Sequence, residues 1–244
     1  LGDVYKRQVS NFDFLKKDFP VLSNFGEMAE KYCYSDSNSC LMKLGMIGET
    51  IVNLMFTYDR IAFPHDNTAV ARIDKLSREG LLTSDLVAIL HGLRKVRNKA
   101  VHENYASIAD DKTFLPMAHS LCEWFMQTYG DWNYSHKDFV MPEENTVLGT
   151  VDKEAEEKKE SELTKLAEQM AAAAPIIEQT ERKKQAYKAA NQRPKTEAET
   201  RFLIDEQLRM VGWDADTENL RYSKGTRPTK GRNLAIAEYP TNSK

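Results

Sequence analysis

Apolar side chains between positions 11 and 133 recur at steps of three and four residues, which is the spacing of an amphipathic α-helix. Alternation of the strand type is absent over these positions. The pattern therefore predicts an all-helical domain of five helices. The apolar positions of the five stripes are, in chain order, Phe25, Met28, Ala29 and Tyr32; Leu41, Leu44, Ile47, Ile51, Leu54 and Met55; Ile73 and Leu76; Leu86, Ile89, Leu90, Leu93 and Val96; and Phe114, Met117, Ala118, Leu121, Trp124, Phe125 and Tyr129.

Residues that start and stop helices stand at the ends of these stripes. We expect the second helix to run from Cys40 towards Tyr58. The candidate N-caps are Ser37 or Ser39 for the second helix, Thr68 for the third, and Thr83 or Ser84 for the fourth. The third helix is expected to stop at Gly80 and the fifth near Gly130.

The composition changes over residues 136–195, which become rich in Glu, Lys, Ala and Gln. A thin apolar stripe remains at Leu163, Leu166, Met170 and Ile177. A proline inside a helix removes a hydrogen bond and clashes with the preceding turn, so Pro175 predicts a kink or two separate helices. The composition favours a charged, solvated helical linker, and a short dimerising coiled coil is the alternative.

A third pattern begins at Thr196, which with Glu199 has the spacing of a capping box. A helix follows and is expected to end at Gly212. Short polar and apolar stretches at residues 219–222 and 233–239 predict the first strands of a sheet. One helix and two short strands cannot bury a core alone, so residues 196–244 are expected to be the start of an incomplete α/β domain.

Composition and charge exclude few classes of protein. A formal net charge of -3 does not exclude nucleic acid as a partner, because a near-neutral total can hide a basic patch. Cys33, Cys40 and Cys122 lie in apolar runs without metal-ligand spacing, which indicates buried reduced thiols.

The chain has no signal-peptide pattern and no run of 18 apolar residues. We therefore expect a cytoplasmic protein without a membrane partner. Residues 1–10 are expected to be a non-native or disordered leader.

The run TEAETRFLIDEQLRMVGWDADTENLRYSKGTRPTKGRNLAIAEYPT, from Thr196 onward, resembles the opening of the nuclease domain in the R subunit of type I restriction enzymes. The resemblance implies a restriction-endonuclease fold whose Asp and Glu-x-Lys hold Mg²⁺ at the scissile phosphate. It also implies an ATP-driven motor, with DNA and the modification and specificity subunits as partners. The nuclease motifs are expected beyond Lys244, so this fragment is expected to hold no cofactor and to be inactive on DNA.

Two groups of residues in this run are candidates for the site. The resemblance implies a place beside the metal for Glu199, whose alternative role is that of the third residue in the capping box. A basic loop is a candidate for phosphate contacts, although an ordinary exposed loop explains the same charges. The basic loop comprises Arg221, Lys224, Arg227, Lys230 and Arg232.

The first 130 residues carry a second resemblance, in AEKYCYSDSNSCLMKLGMIGETIV, IDKLSREGLL and LRKVRNKAVHENY. These segments resemble a helical domain of unknown function found at the N-terminus of some R subunits and akin to the HEPN superfamily. Arg97, Asn98 and His102 fit the HEPN motif, in which histidine acts as general acid or base on RNA and arginine stabilises phosphate charge. A structural role at the helix end and non-catalytic binding are the alternatives.

The prediction is therefore a mainly α chain with four segments. Residues 1–10 are a leader, 11–135 a HEPN-like helical bundle, 136–195 a long helical linker, and 196–244 the opening helix and strands of an incomplete restriction-endonuclease-like domain. The function expected is that of the N-terminal portion of a type I restriction R subunit. An HEPN-type RNA-binding or metal-independent ribonuclease domain and a protein-interaction module are the alternatives, and a homodimer through the helical domain stays open.

Overall fold

The computed structural model describes residues 9–144 and 152–240. Most of the predicted leader, residues 1–8, lies outside the described residues. The chain divides into two compact units after Pro194. The described residues contain eight α-helices and one small parallel sheet, which confirms the mainly α fold class.

The first unit contains a short 3₁₀ turn at Asp13–Leu15 and seven helices. The helices are α1 (Pro20–Tyr32), α2 (Ser37–Tyr58), α3 (Ala69–Arg78), α4 (Ser84–Glu103), α5 (Ile108–Tyr129), α6 (Lys153–Ala173) and α7 (Gln179–Gln192). The five predicted stripes lie on α1 to α5, and their apolar positions form the buried core.

Helix α2 is the centre of this unit, because α1, α4, α5 and α6 all pack against it. By length and composition α2 is apolar enough to cross a membrane, with a mean hydropathy of 1.2. Its apolar side chains are nevertheless buried inside the unit, as expected for the core helix of a bundle. Phe19 packs its ring 4.8 Å from that of Phe125, and Phe125 stacks on Tyr129 at the same distance.

The helix ends show which polar residues act as caps. The cap of α2 is Asp36, whose side chain accepts from the backbone N–H of Ser39, so the predicted caps Ser37 and Ser39 were wrong by one and three residues. Thr68 caps α3 as predicted, since its hydroxyl accepts from Ala71. Thr83 precedes α4 without a capping bond from its side chain.

Helices α6 and α7 differ from the solvated linker that the composition favours. They are separate helices on either side of Pro175, as the proline predicted. Helix α6 packs on α1 and α2, and α7 packs on α5. The indole of Trp124 donates to the carbonyl of Ala186 at 3.0 Å inside the core. Both helices therefore belong to the first compact unit, because small alanine side chains let them approach it closely.

The second unit contains α8 (Glu197–Met210), β1 (Asp214–Ala215) and β2 (Leu234–Ala235). The strands are parallel, with Asp214 opposite Leu234 and Ala215 opposite Ala235. The first strand therefore precedes the predicted stretch at residues 219–222, which is joined to the sheet only by a bridge between Arg221 and Ala237. Two-residue strands have no alternation that a sequence pattern could reveal.

Asp205 on α8 forms hydrogen bonds to Thr217, two residues after β1. Its carboxylate accepts from the backbone N–H and from the hydroxyl of Thr217, both at 2.7 Å. Arg209 donates from the same helix to the carbonyl of Ala215 at 2.7 Å. Gly212, at φ 83°, makes the left-handed turn between the helix and the strand.

Candidate functional site

A pocket of about 390 Å³ opens between α2, α3 and α4 in the first unit. Apolar side chains of Val52, Ile73 and Leu90 contribute to its lining. Its polar residues include three arginines, two asparagines and one glutamate, namely Arg72, Arg94, Arg97, Asn53, Asn98 and Glu49. We call this site the arginine pocket.

Gly45 on α2 sets the position of Arg97 on α4. A Cβ atom added at Gly45 would overlap the Cβ and Cγ atoms of Arg97. The absence of a side chain at this position therefore lets the stem of Arg97 lie directly on α2. The guanidinium of Arg97 lies 3.8 Å from the carboxylate of Glu49, which is a loose pair with both side chains partly exposed.

Arg72 on α3 is held in one orientation by three neighbours. Its Nε donates to the side chain of Asn67 at 2.8 Å, and one of its terminal nitrogens donates to Asn53 at 2.6 Å. Its guanidinium also lies 5.1 Å from the ring centroid of Phe63, within the range of a cation–π contact. The guanidinium is thus fixed at the edge of the pocket.

Arg94 on α4 has a buried Nε atom without a hydrogen-bond partner among the described residues. A buried donor of a charged group is costly to leave unpaired, since it loses water without gaining an acceptor. Asn98 follows Arg94 by one helical turn, on the same face of α4. One donor of the Arg94 guanidinium is therefore left without an acceptor at a residue that lines the pocket.

The predicted HEPN motif is divided by this geometry. Arg97 and Asn98 line the arginine pocket, whereas His102 lies exposed near the end of α4 and is not among the lining residues. The C-cap of the helix is Asn104, which has the left-handed φ of 49°. The roles of Arg97, Asn98 and His102 in catalysis stay predictions. In the structure Arg97 and Asn98 line the same pocket as Arg72 and Arg94.

Glu199 lies buried in the first turn of α8, with 1% of its surface exposed. Its backbone N–H donates to the hydroxyl of the cap residue Thr196 at 3.1 Å, which is one half of the predicted capping box. Among the described residues, no group of three or more His, Cys, Asp or Glu side chains could hold a metal ion. The metal role of Glu199 therefore stays a prediction.

The basic loop lies in the second unit, and several of its charges are already engaged. Arg221 pairs with Glu238, and Arg232 pairs with Asp214 at 2.6 Å. Arg227 lies over the ring of Tyr222, 3.7 Å from its centroid. Lys224 and Lys230 are exposed.

Sequence reasoning missed Arg72 and Arg94, which complete the arginine pocket. The spacing of Arg94 and Arg97, three residues apart on one helix face, was the available signal. Arg72 had no such signal, because it meets them only through the packing of α3 on α4. The predicted buried thiols are confirmed, since Cys33, Cys40 and Cys122 are all buried and free.

Comparisons with known proteins match both units. The family model of DUF4145, a domain of unknown function, matches residues 27–173. A second model, the second domain of the type I restriction enzyme EcoKI endonuclease subunit, matches residues 214–244. The EcoKI endonuclease subunit of Escherichia coli strain K12 is 29% identical over 95% of this chain. The aligned region spans 24% of that relative's length.

These matches confirm the resemblance predicted from the sequence, for the helical domain of unknown function and for the restriction-enzyme subunit. They give no support to the ribonuclease alternative. No solved structure matches the chain.

Proposed function

This chain belongs to the DUF4145 family, and on that premise we propose that it forms the N-terminal portion of the DNA-cleaving and translocating subunit of a type I restriction-modification system. The observation that carries the proposal is the 29% identity to the EcoKI endonuclease subunit over 95% of the chain. Similarity to a subunit of a type I restriction enzyme implies a multi-subunit complex. We propose DNA and the modification and specificity subunits as the partners.

The two units have different roles in this proposal. We propose that the second unit is the start of the nuclease domain. The family model of the second domain of the EcoKI endonuclease subunit, whose match begins at Asp214, the first residue of β1, supports this assignment to a restriction subunit. A strand placed after α8 and paired in parallel with the next strand suits the first edge of a mixed sheet. The first unit is an accessory or assembly module ahead of it.

Magnesium and ATP belong to the parent protein in this proposal. The described residues hold no group of three or more His, Cys, Asp or Glu side chains that could bind a metal ion, and no catalytic step is assigned to them. The chemistry expected of this portion is contact with DNA and with the other subunits. Cytoplasmic localisation is proposed with it, because the DNA substrate and the modification subunits act there.

Sequencing the gene past the codon for Lys244 tests the proposal directly. We expect an in-frame continuation with an Asp, then a Glu-x-Lys, and later a phosphate-binding GKT-type loop. A stop codon, or a continuation without these motifs, would contradict it.

A phage assay tests the role of the first unit in the same system. We expect an in-frame deletion of the codons for residues 20–194 to abolish restriction of unmodified phage while DNA modification continues. The double variant Lys184→Ala/Lys188→Ala, which removes exposed charges from α7, serves as the control and should restrict normally. Normal restriction by the deletion would show that the first unit is dispensable.

A further inference from the structure

We propose that the arginine pocket is a binding site for a phosphomonoester, the terminal phosphate of a small phosphorylated molecule or of a nucleic-acid strand. Three arginines and one glutamate are among the described residues that line it, in a protein whose formal net charge is -3. Three cations around a pocket of about 390 Å³ repel one another, and a bound anion offsets this repulsion.

Two of the three arginines are incompletely paired among the described residues. The buried Nε of Arg94 has no hydrogen-bond partner there. Arg97 makes a loose contact of 3.8 Å with Glu49, a carboxylate whose side chain is 46% exposed. Arg72 is already oriented by Asn53 and Asn67, so it meets an incoming anion without losing further side-chain freedom.

Backbone groups add to the same side of the pocket. The first residues of α3 belong to its lining, namely Thr68, Ala69 and Val70. The first N–H groups of a helix have no partner within the helix, and the Thr68 hydroxyl accounts only for that of Ala71. The positive end of the helix dipole therefore supplements the three arginines.

The charge of the pocket selects a dianion over a monoanion. A phosphomonoester carries nearly two negative charges at neutral pH and three acceptor oxygens, which suits three guanidiniums. A single carboxylate or an internal phosphodiester carries one charge.

The rest of the lining indicates what the phosphate is attached to. Val52, Ile73 and Leu90 supply apolar surface, and Asn98 adds a donor and an acceptor one turn from Arg94. Gly48 also lines the pocket and adds no side chain to it. A flat or apolar group next to the phosphate fits this lining better than a free inorganic ion.

Isothermal titration of the 244-residue chain with phenyl phosphate tests the site. The pH is held well above the second phosphate pKa of about 6, so that the probe is a dianion. Phenyl sulfate has a similar shape and one charge less, and we expect it to bind about tenfold more weakly or worse. Equal binding of the two probes, or no binding of phenyl phosphate, would overturn the proposal.

Variants assign the binding to the pocket. Arg94→Ala is expected to weaken phenyl phosphate binding by about tenfold or more, since it removes charge-assisted hydrogen bonds. Arg78→Ala, at an exposed position on α3 outside the lining, is the matched control and should bind normally. Glu49→Gln removes the one carboxylate from the lining and should tighten binding several-fold. This gain cannot come from a misfolded protein, so an unchanged or weaker affinity of Glu49→Gln contradicts the proposal.

The two sources of the phosphate are distinguished by oligonucleotides. A single strand with a 5′-phosphate is compared with the same strand ending in a 5′-hydroxyl. Tighter binding of the phosphorylated strand, lost in Arg94→Ala, assigns the pocket to strand ends. Equal binding of the two strands, together with specific binding of phenyl phosphate, assigns it to a small phosphorylated molecule.

Discussion

The guanidinium Nε of Arg182 lies 3.1 Å from a carboxylate oxygen of Asp59, and both side chains are almost fully buried, with 2% and 3% of their surface exposed. This pair joins α7 to the end of α2 across 123 positions of sequence. Tyr129 completes the arrangement, since its hydroxyl donates to Asp59 at 2.6 Å and its ring lies under the guanidinium. These contacts hold α7, which lies in the charged stretch after residue 136, against the core.

Arg182→Ala is expected to lower the free energy of unfolding by about 3 kcal/mol or more, because it leaves Asp59 as a buried charge without its cation. Urea unfolding of the full chain, followed by circular dichroism, measures the change. Lys184→Ala removes an exposed charge from the same helix and should change stability by less than about 0.5 kcal/mol. Equal effects of the two substitutions would mean that the buried pair does not hold α7 in place.

The fold was predictable wherever local pattern decides it. The stripe from Leu41 to Met55 fixed α2, and Pro175 separated α6 from α7. The place of α7 was not predictable, because its sequence has few large apolar residues and its anchor is the long-range pair of Arg182 with Asp59. A charged residue in a sequence pattern indicates exposure, and only the packed structure reveals its buried partner.

Gly45 and Gly48 lie one turn apart on α2 and are expected to respond to alanine in opposite directions. Gly45→Ala should destabilise the chain by about 1–3 kcal/mol, since the new methyl group overlaps the stem of Arg97. Gly48→Ala meets its nearest neighbour, a Leu93 methyl group, at 3.4 Å, which is an ordinary contact. It should therefore stabilise by about 0.5 kcal/mol through helix propensity.

Thermal unfolding of the two alanine variants and of the wild type measures whether each substitution raises or lowers the stability. Destabilisation by Gly48→Ala, or tolerance of Gly45→Ala, would contradict the close approach of α2 and α4. The same approach places Arg97 in the arginine pocket, so Gly45→Ala should also weaken the binding of phenyl phosphate.

The site was predictable only in part. Arg97 and Asn98 were found because they stand in a short motif on one helix. The contribution of Arg72 was hidden, since it comes from α3, more than twenty positions away in sequence. His102 had the right spacing for the motif, but it lies exposed one helical turn beyond Asn98 and is not among the residues that line the pocket.

His119 is expected to make the protein acid-sensitive. Burial among the rings of Phe12, Phe14 and Phe139 lowers the pKa of its imidazole from 6.5 to about 4. The unfolded chain therefore takes up this proton first as the pH falls. Stability that is fully present above pH 6.5 is lost between about 6.5 and 4, with a total of roughly 3 kcal/mol.

Unfolding free energies of wild type and His119→Gln between pH 7.5 and 4 check this contribution. We expect a shallower loss of stability in the variant. Burial raises the pKa of Glu123, whose carboxylate lies 3.8 Å from His119 and acts in the opposite direction on acidification, so the net loss of stability in the wild type is smaller than the contribution of the histidine alone. His65→Gln, at an exposed position, is the control and should follow the wild type. Parallel pH profiles of wild type and His119→Gln would refute the prediction.

Asp205→Ala should loosen the start of the sheet in the second unit by about 1–3 kcal/mol. The substitution leaves the N–H and the hydroxyl of Thr217 without their acceptor. Hydrogen exchange of the backbone amides at residues 214–217 measures the effect, and we expect faster exchange. Glu218→Ala, an exposed neighbour, should leave exchange at these amides unchanged. Faster exchange in both variants alike would assign the effect to the loop and not to Asp205.

The two exposed lysines of the basic loop, Lys224 and Lys230, allow a test of DNA binding. If Lys224 and Lys230 bind phosphates, the double variant Lys224→Ala/Lys230→Ala should bind duplex DNA more weakly. The slope of log affinity against log salt concentration should also flatten by about 0.9 for each phosphate that is no longer neutralised. Arg232→Ala should change the slope less, because that guanidinium already pairs with Asp214. Filter binding of the full chain over a salt series measures both quantities. A slope that is the same in wild type and in the double variant would assign the two lysines to ordinary surface charge.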